Sequence, residues 1–429
     1  MIGPIVTPRR LSRRLIWTSA LLAAPVAWFC PQLASAQESF QRGSNISVME
    51  RPRPGYEALG VRAGGFITYP SLTLRTERDD NLFARPDAVS DTIYTVRPSL
   101  EVRSDWARHA AGLSVDADLK RHDRFTSEDT NAWRVAGSGR ADVSRDFIVK
   151  AQASLADRVE PRNTTAFSVE SVEPIEYGIE TAGVTASKDL NRVRVVGRAN
   201  FTRYDYRNGR DAAGDVVEQD FRDHDEFETG VKIAYAVSPI AAVFVDGGLQ
   251  KMDYDPFEGH ERDSNGATAL VGIDMEITRL VSGEVSVGYI KQSFDDPTFK
   301  DIANPHYRVR LDWYPTQLMT VGLTATQRVT DSPLSSSPAY LSRAVELKAD
   351  YELLRNLILS GQIHGADQDY RGIDRHDRRY GGILSANYLV NRTLGVSLRY
   401  NYETLSSSGA SRGRDFDDNS ISLALVFQR

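Results

Sequence analysis

The chain has 429 residues, a net charge of −6, and 26% of its residues are Asp, Glu, Lys or Arg. Its mean hydropathy is −0.38, and beyond the N-terminus no stretch approaches the ~18 apolar residues of a membrane helix, which excludes helical spans. An acidic chain without a phosphate-cradling loop also leaves nucleic acid off the list of partners.

The first segment, "MIGPIVTPRRLSRRLIWTSALLAAPVAWFCPQLASA", has basic Arg9, Arg10, Arg13 and Arg14, an apolar stretch broken by Pro25, and the small-residue end Ala34-Ser35-Ala36. That order is the grammar of a secretory signal peptide, here residues 1–36. Its loss removes four arginines and no acid, moving the net charge from −6 to −10, and takes away Cys30, the only cysteine. Phe29 is too bulky for the position before a lipidated cysteine. The mature chain is therefore expected to be exported and to fold without a disulfide.

Residues 37–65 are rich in Gly, Pro and Arg and lack periodicity, so they read as a flexible periplasmic N-terminal segment. From Phe66 to the end at 429 the pattern is one of strands. In "PSLTLRTERDDNLF" Leu72 and Leu74 alternate with Thr73, Arg75 and Glu77. "GLSVDADLK" sets Leu113, Val115, Ala117 and Leu119 against Ser114, Asp116, Asp118 and Lys120. "RVRVVGRANFT" places Arg192, Arg194 and Arg198 opposite Val193, Val195 and Phe201, and "YRVRLDW" places Arg308 and Arg310 opposite Val309, Leu311 and Trp313. "LGVSLRYNYE" opposes Leu398 and Tyr400 to Arg399 and Asn401. Period-two alternation sustained over such lengths marks strands with two unlike faces.

The gaps alternate as well. Short ones, such as 144–146, 238–240 and 355–357, separate longer polar ones, such as 79–91, 158–174, 207–222 and 407–418. Nine long gaps with eight short ones between them join about 18 strands, and runs of about ten residues match a tilted bilayer crossing. The expected fold is all-β: a transmembrane antiparallel up-and-down β-barrel over residues 66–429, with one face toward lipid and the other toward a wet lumen. A soluble sandwich seldom passes ~10 strands without splitting. Aromatics cluster at the strand ends, with Trp106, Tyr235, Trp313, Tyr314 and Tyr388 by short turns. Tyr204, Tyr206, Tyr254, Tyr289, Phe294, Tyr370, Tyr400 and Tyr402 lie toward long loops, and the two groups read as two interfacial girdles. The last strand, "SISLALVF", ends on Phe427, an aromatic of the kind the outer-membrane barrel assembly machinery reads, although Gln428 and Arg429 follow it.

Three stretches resemble a known family: "RPRPGYEALGVRAGGFITYPSLTL" from Arg51, "DDNLF" at Asp79–Phe83, and "RPSLEVRSDWARH" at Arg97–His109. They are similar to the outer-membrane porins called β-barrel porin 2, whose members accompany exopolysaccharide or capsule operons. The resemblance implies one large barrel exporting polysaccharide across the outer membrane, with periplasmic export components as partners. Periodicity by itself implies a barrel and no more.

Within such a lumen the arginines are the candidate contacts for a sliding polymer: Arg192, Arg194 and Arg198 first, then Arg308 and Arg310, with Arg97 and Arg399. Acids such as Asp118 and Asp246 accompany them, and cross-strand ion pairing is the simpler account. Loops 158–174 and 207–222 are long enough to fold inward as a constriction. The seven histidines are scattered, and no Gly-x-Ser-x-Gly or His-Glu-x-x-His motif is present, so no catalysis and no cofactor are expected. The acidic loops around Asp211–Asp223 and Asp255–Asp263 lack EF-type spacing, and no defined metal site is expected. Export is the leading reading, a general or solute-specific uptake porin is the alternative, and a barrel enzyme acting on lipid ranks behind both.

Overall fold

Strands of this alternating kind have only one way to satisfy their backbone in lipid: each must pair on both edges, and the sheet must close. In the computed structural model, which describes residues 46–164, 171–255, 261–276 and 280–429, this is what happens. The signal peptide assigned to residues 1–36 and the first part of the N-terminal segment lie outside the described residues.

Eighteen strands form the barrel. The first six are β1 Phe66–Asp79, β2 Asp91–Ser104, β3 Ala110–His122, β4 Thr130–Ser144, β5 Phe147–Val159 and β6 Glu176–Leu190. The next six are β7 Val193–Tyr206, β8 His224–Ser238, β9 Ala241–Tyr254, β10 Ser264–Glu276, β11 Val281–Phe294 and β12 Ile302–Thr316. The last six are β13 Met319–Asp331, β14 Ala339–Leu354, β15 Leu357–Tyr370, β16 His376–Leu389, β17 Leu394–Ser408 and β18 Phe416–Gln428. Each pairs antiparallel with its sequence neighbours, and β1 closes on β18 from Ser71 opposite Gln428 to Asp79 opposite Ser420. A three-residue strand, Val61–Ala63, hairpins onto β1, and Gly209–Arg210 pairs with Val216–Val217 inside a long loop.

Exposure follows the alternation. On β1 Leu72 and Leu74 face out while Thr73, Arg75 and Glu77 face in, and Leu113, Val115, Val245, Leu398 and Leu423 are likewise outward. The strands are 13 to 16 residues long, longer than the sequence pattern indicates. At a rise of ~3.3 Å and a tilt near ~45°, a strand of about 14 residues covers roughly 33 Å, more than the apolar band of ~25 Å needs. The surplus lies at the long-loop rim, where side chains that alternate inward pack against loops rather than lipid. Apolar packing between buried residues is local: Ile175, Tyr204 and Tyr206 form one cluster, and Ala84, Leu405 and Phe416 another.

This sidedness is testable at Leu384 on β16, 63% exposed on the outer face. Leu384→Arg near the bilayer midplane is expected to cost about 2–4 kcal/mol in denaturant unfolding from vesicles. A cost within about 0.5 kcal/mol, the range of an ordinary surface substitution, would contradict lipid contact there.

Candidate functional site in the lumen and its mouths

Eighteen strands leave an aqueous channel where eight would fill with side chains. The inner wall is charged, and geometry decides which charges remain available. Arg198 on β7 reaches across β8 to Asp246 on β9, with Nη2 2.8 Å from Oδ1. Arg308 on β12 approaches the other oxygen of the same carboxylate at 3.5 Å. Asp246 is 4% exposed, whereas the Arg308 side chain is 45% exposed to the lumen. Arg198 can lie flat because β8 carries Gly230 beneath it: a Cβ there would stand 2.6 Å from the guanidinium. Beside them Lys232 Nζ is 2.5 Å from Glu284 and 3.9 Å from the centre of the Phe244 ring.

The other candidate arginines are placed less uniformly. Arg310 faces the lumen on β12, in register with Glu284. Arg194 faces in near the short-turn rim and forks onto Asp189 at 2.5 and 3.0 Å. Arg97 pairs with Asp118, and Arg399 lies on the inner face of β17, far around the ring. Arg192 is not a wall residue: it sits exposed in the tight turn before β7, where the chain reverses, so the trio of arginines reduces to two. The structure thus brings Arg198 and Arg308 together through Asp246 and leaves the rest apart.

At the long-loop mouth a device recurs that the sequence reading missed. Arg222, Arg262, Arg375 and Arg414 each come from a loop and each lie over an aromatic ring at a strand end: Tyr206 at 3.9 Å, Tyr254 at 4.8 Å, Tyr370 at 4.7 Å and Phe416 at 5.7 Å. Tyr204, His224 and Tyr254 stack in series with centroids 4.6 Å apart. Tyr204, Tyr206, Tyr254 and Tyr370 are therefore buried inside the mouth and Phe294 also points inward, so none belongs to a lipid girdle. Tyr314, near the short turns, is inward too. Tyr289, Tyr400 and Tyr402 do face outward, as do Tyr235, Trp313 and Tyr388 at the opposite end. The missed signal was parity, since Tyr204 and Tyr206 share the even register of inward Arg194 and Arg198.

Residues 160–164, which follow β5, reach into this mouth. Arg222 forks onto Glu160 at 2.7 and 3.1 Å; burial lowers the proton affinity of that guanidinium, but the charge and hydrogen bonds of Glu160, with Tyr206 and Asp331, together outweigh it and the net shift is upward. Arg162 donates to Glu128 at 2.8 Å and to the carbonyls of Ser171 and Val172. From the far wall Arg379 on β16 donates to the carbonyl of Asn163 at 3.0 Å, and Arg414 donates to the carbonyls of Arg162 and Thr164. Burial, then the neighbouring Arg85, Arg162, Arg375 and Arg379, push Arg414 down to about 10, so it keeps its charge at neutral pH. Of the two loops long enough to fold inward, the one after β5 has its residues 162–164 held inward by cations.

The short-turn mouth is narrowed from below. The segment read as flexible is docked over residues 46–57: Val48 is fully buried with its N–H 3.0 Å from Thr320 Oγ1. Arg51 and Arg53 both approach Glu352 at 3.4 Å, and Gln428 at the end of β18 donates to the Tyr56 carbonyl.

A closed barrel with an apolar outer belt, a charged lumen and loops folded into its mouth defines an outer-membrane β-barrel porin. A family model described as "Putative beta-barrel porin 2" matches residues 53–429, and the chain belongs to that family. Among solved structures, OpdL from Pseudomonas aeruginosa is 13% identical, with 85% of this chain and 99% of that chain covered at a TM-score of 0.45. A BenF-like porin from Pseudomonas fluorescens Pf-5 is 10% identical, over 84% and 99%, at 0.44. The siderophore receptor PirA from Pseudomonas aeruginosa is 9% identical, over 84% and 80%, at 0.42. These are likenesses of fold. No curated protein sequence matches the chain. In such barrels short turns face the periplasm and long loops the outside.

Two outcomes follow. Arg198→Glu puts a like charge beside Asp246, and the reversal potential in a salt gradient across a planar bilayer should move toward cation preference; an unchanged potential would remove Arg198 from the conduction path. Glu352→Gln leaves Arg51 and Arg53 without their carboxylate, and single-channel conductance should rise as residues 46–57 loosen. Equal conductance would mean that the segment does not limit flow.

Proposed function

We propose that the protein is a gated outer-membrane channel through which an acidic polysaccharide leaves the cell, with periplasmic export components delivering the polymer. The supporting observation is the half-exposed Arg308, flanked by Arg310 and tethered with Arg198 to a single carboxylate in the lumen wall. Guanidinium forks hydrogen-bond carboxylates in two-point geometry, and those held partly by an internal acid can exchange a passing uronate for that acid. Contacts that are individually weak and repeated suit a sliding chain better than one tight site. Lipid holds the outer face, and the barrel assembly machinery is the expected route of insertion.

A second reading, uptake of a small anionic solute, is favoured by one specific feature. The loop pinned across the outer mouth by Arg379 and Arg414 makes a selective constriction with a cationic rim.

A deletion strain separates the two. Under the export reading, secreted acidic polysaccharide falls in the mutant and is restored by the wild-type gene. The double variant Arg308→Glu/Arg310→Glu, inserted at wild-type level, should not restore it. Normal surface polymer with impaired entry of small anions would overturn export in favour of uptake.

A further inference from the structure

The carboxylates of this barrel are as a rule held by cations: Glu128 by Arg162, Glu160 by Arg222, Glu284 by Lys232, Glu403 by Arg379. A partly buried acidic group without such a cation lies at the outer end of the seam where β1 meets β18. Asp79, the last residue of β1, Asp80, which follows it, and Asp418 on β18 bring one oxygen each within 4.8 Å of one another. Among the described residues none of the three has an ion-pair partner. Asp418 is only 5% exposed, and its Oδ1 has no hydrogen-bond partner. A fourth acid, Asp91 at the start of β2, stands directly opposite Asp79 in the ladder, where like charges repel.

We propose that Asp79, Asp80 and Asp418 bind one calcium ion that staples the first strand of the barrel to the last. The donor set is all oxygen, which selects a hard cation, and oxygens ~2.4 Å from a shared ion stand no more than ~4.8 Å apart. The cluster meets that limit. Its surroundings hold the carboxylates in place: Asp79 accepts from the Asn81 N–H at 2.8 Å, and Asp80 accepts from the backbone and side chain of Asn419 at 2.7 and 2.9 Å. Asn81 in turn bridges to the Asp417 carbonyl at 2.7 Å, tying the loop after β1 to β18. Buried Asp418 carries an oxygen with no hydrogen-bond partner, while exposed Asp80 leaves a side open for water to complete the shell. Calcium tolerates such a mixed, irregular shell, whereas magnesium demands a near-octahedral one.

The test is calorimetric titration of calcium chloride into the full-length chain, treated with chelator beforehand, in detergent micelles free of lipopolysaccharide. Wild type should bind about one calcium at this site, and its unfolding temperature should drop on chelation. Asp418→Asn and, separately, the exposed Asp80→Asn should each raise the dissociation constant at least tenfold and abolish the chelator effect, with barrel folding checked by heat-modifiable gel mobility. Asp263→Asn, in the exposed acidic group with Glu261 and Asp295, should leave both readouts unchanged. Absence of binding by wild type, or undiminished binding by both seam variants, overturns the proposal; so does a chelator effect that persists in folded Asp80→Asn.

Discussion

The structure depends on one constraint: a strand in hydrocarbon cannot leave an N–H or C=O unpaired. An open edge would expose a row of such groups at several kcal/mol each, so the sheet must meet itself. Here it does so through nine register pairs between β1 and β18, a shorter ladder than most neighbouring strands share. The closing pair joins the two ends of the sequence, so no covalent turn assists it. Side chains at its ends matter more than elsewhere: Gln428 near the short turns ties in the N-terminal segment, and the Asp80–Asn419 bonds fasten the outer rim.

Closure creates the second problem, an interior in which charge is removed from bulk water. A wide lumen remains wet, yet its carboxylates still collect guanidinium partners, because a half-desolvated charge gains more from a fixed partner than one in open solvent. This sorts the arginines. Those at Arg97 and Arg194 are bound to their own acids and serve the wall. Arg198 and Arg308 share one carboxylate, so that together they carry a surplus positive charge at the lumen wall.

The architecture was legible because it is written in local arithmetic. Parity fixes which face a residue takes, and the alternation of tight and long gaps fixes strand number and the side on which the termini fall. What parity does not reveal is where the membrane stops. Tyr204, Tyr206, Tyr254 and Tyr370 all lie near strand ends, yet the register of Tyr204 and Tyr206 with Arg198, and of Tyr254 with Asp246, already turns the first three inward. Arg192 shared the register too, but the reversal at Asn191, with φ of 56°, takes it off the wall. Contacts such as Asn163 with Arg379, or Val48 with Thr320, join residues hundreds of positions apart across a lumen, and no periodicity encodes them. The docking of residues 46–57 was hidden for the same reason: a segment rich in Pro and Gly looks alike whether free or lodged against a wall.

The mouths differ in a way that bears on gating. On the outer side, loops are held by ring-stacked arginines whose other faces reach carbonyls and carboxylates of neighbouring loops, so each stack supports more than one contact. Arg262 lies over Tyr254 while also bonding Asp331 and the carbonyl of Ser332. Removing one contact leaves the others, which favours a rigid, sieve-like rim. The inner side rests on one short segment whose two arginines share one acid, Glu352. A single negative charge is easily competed for, by salt or by an approaching acidic surface. Under the export function proposed above, asymmetry of this kind would put the movable element at the short-turn mouth and the selective element at the long-loop mouth.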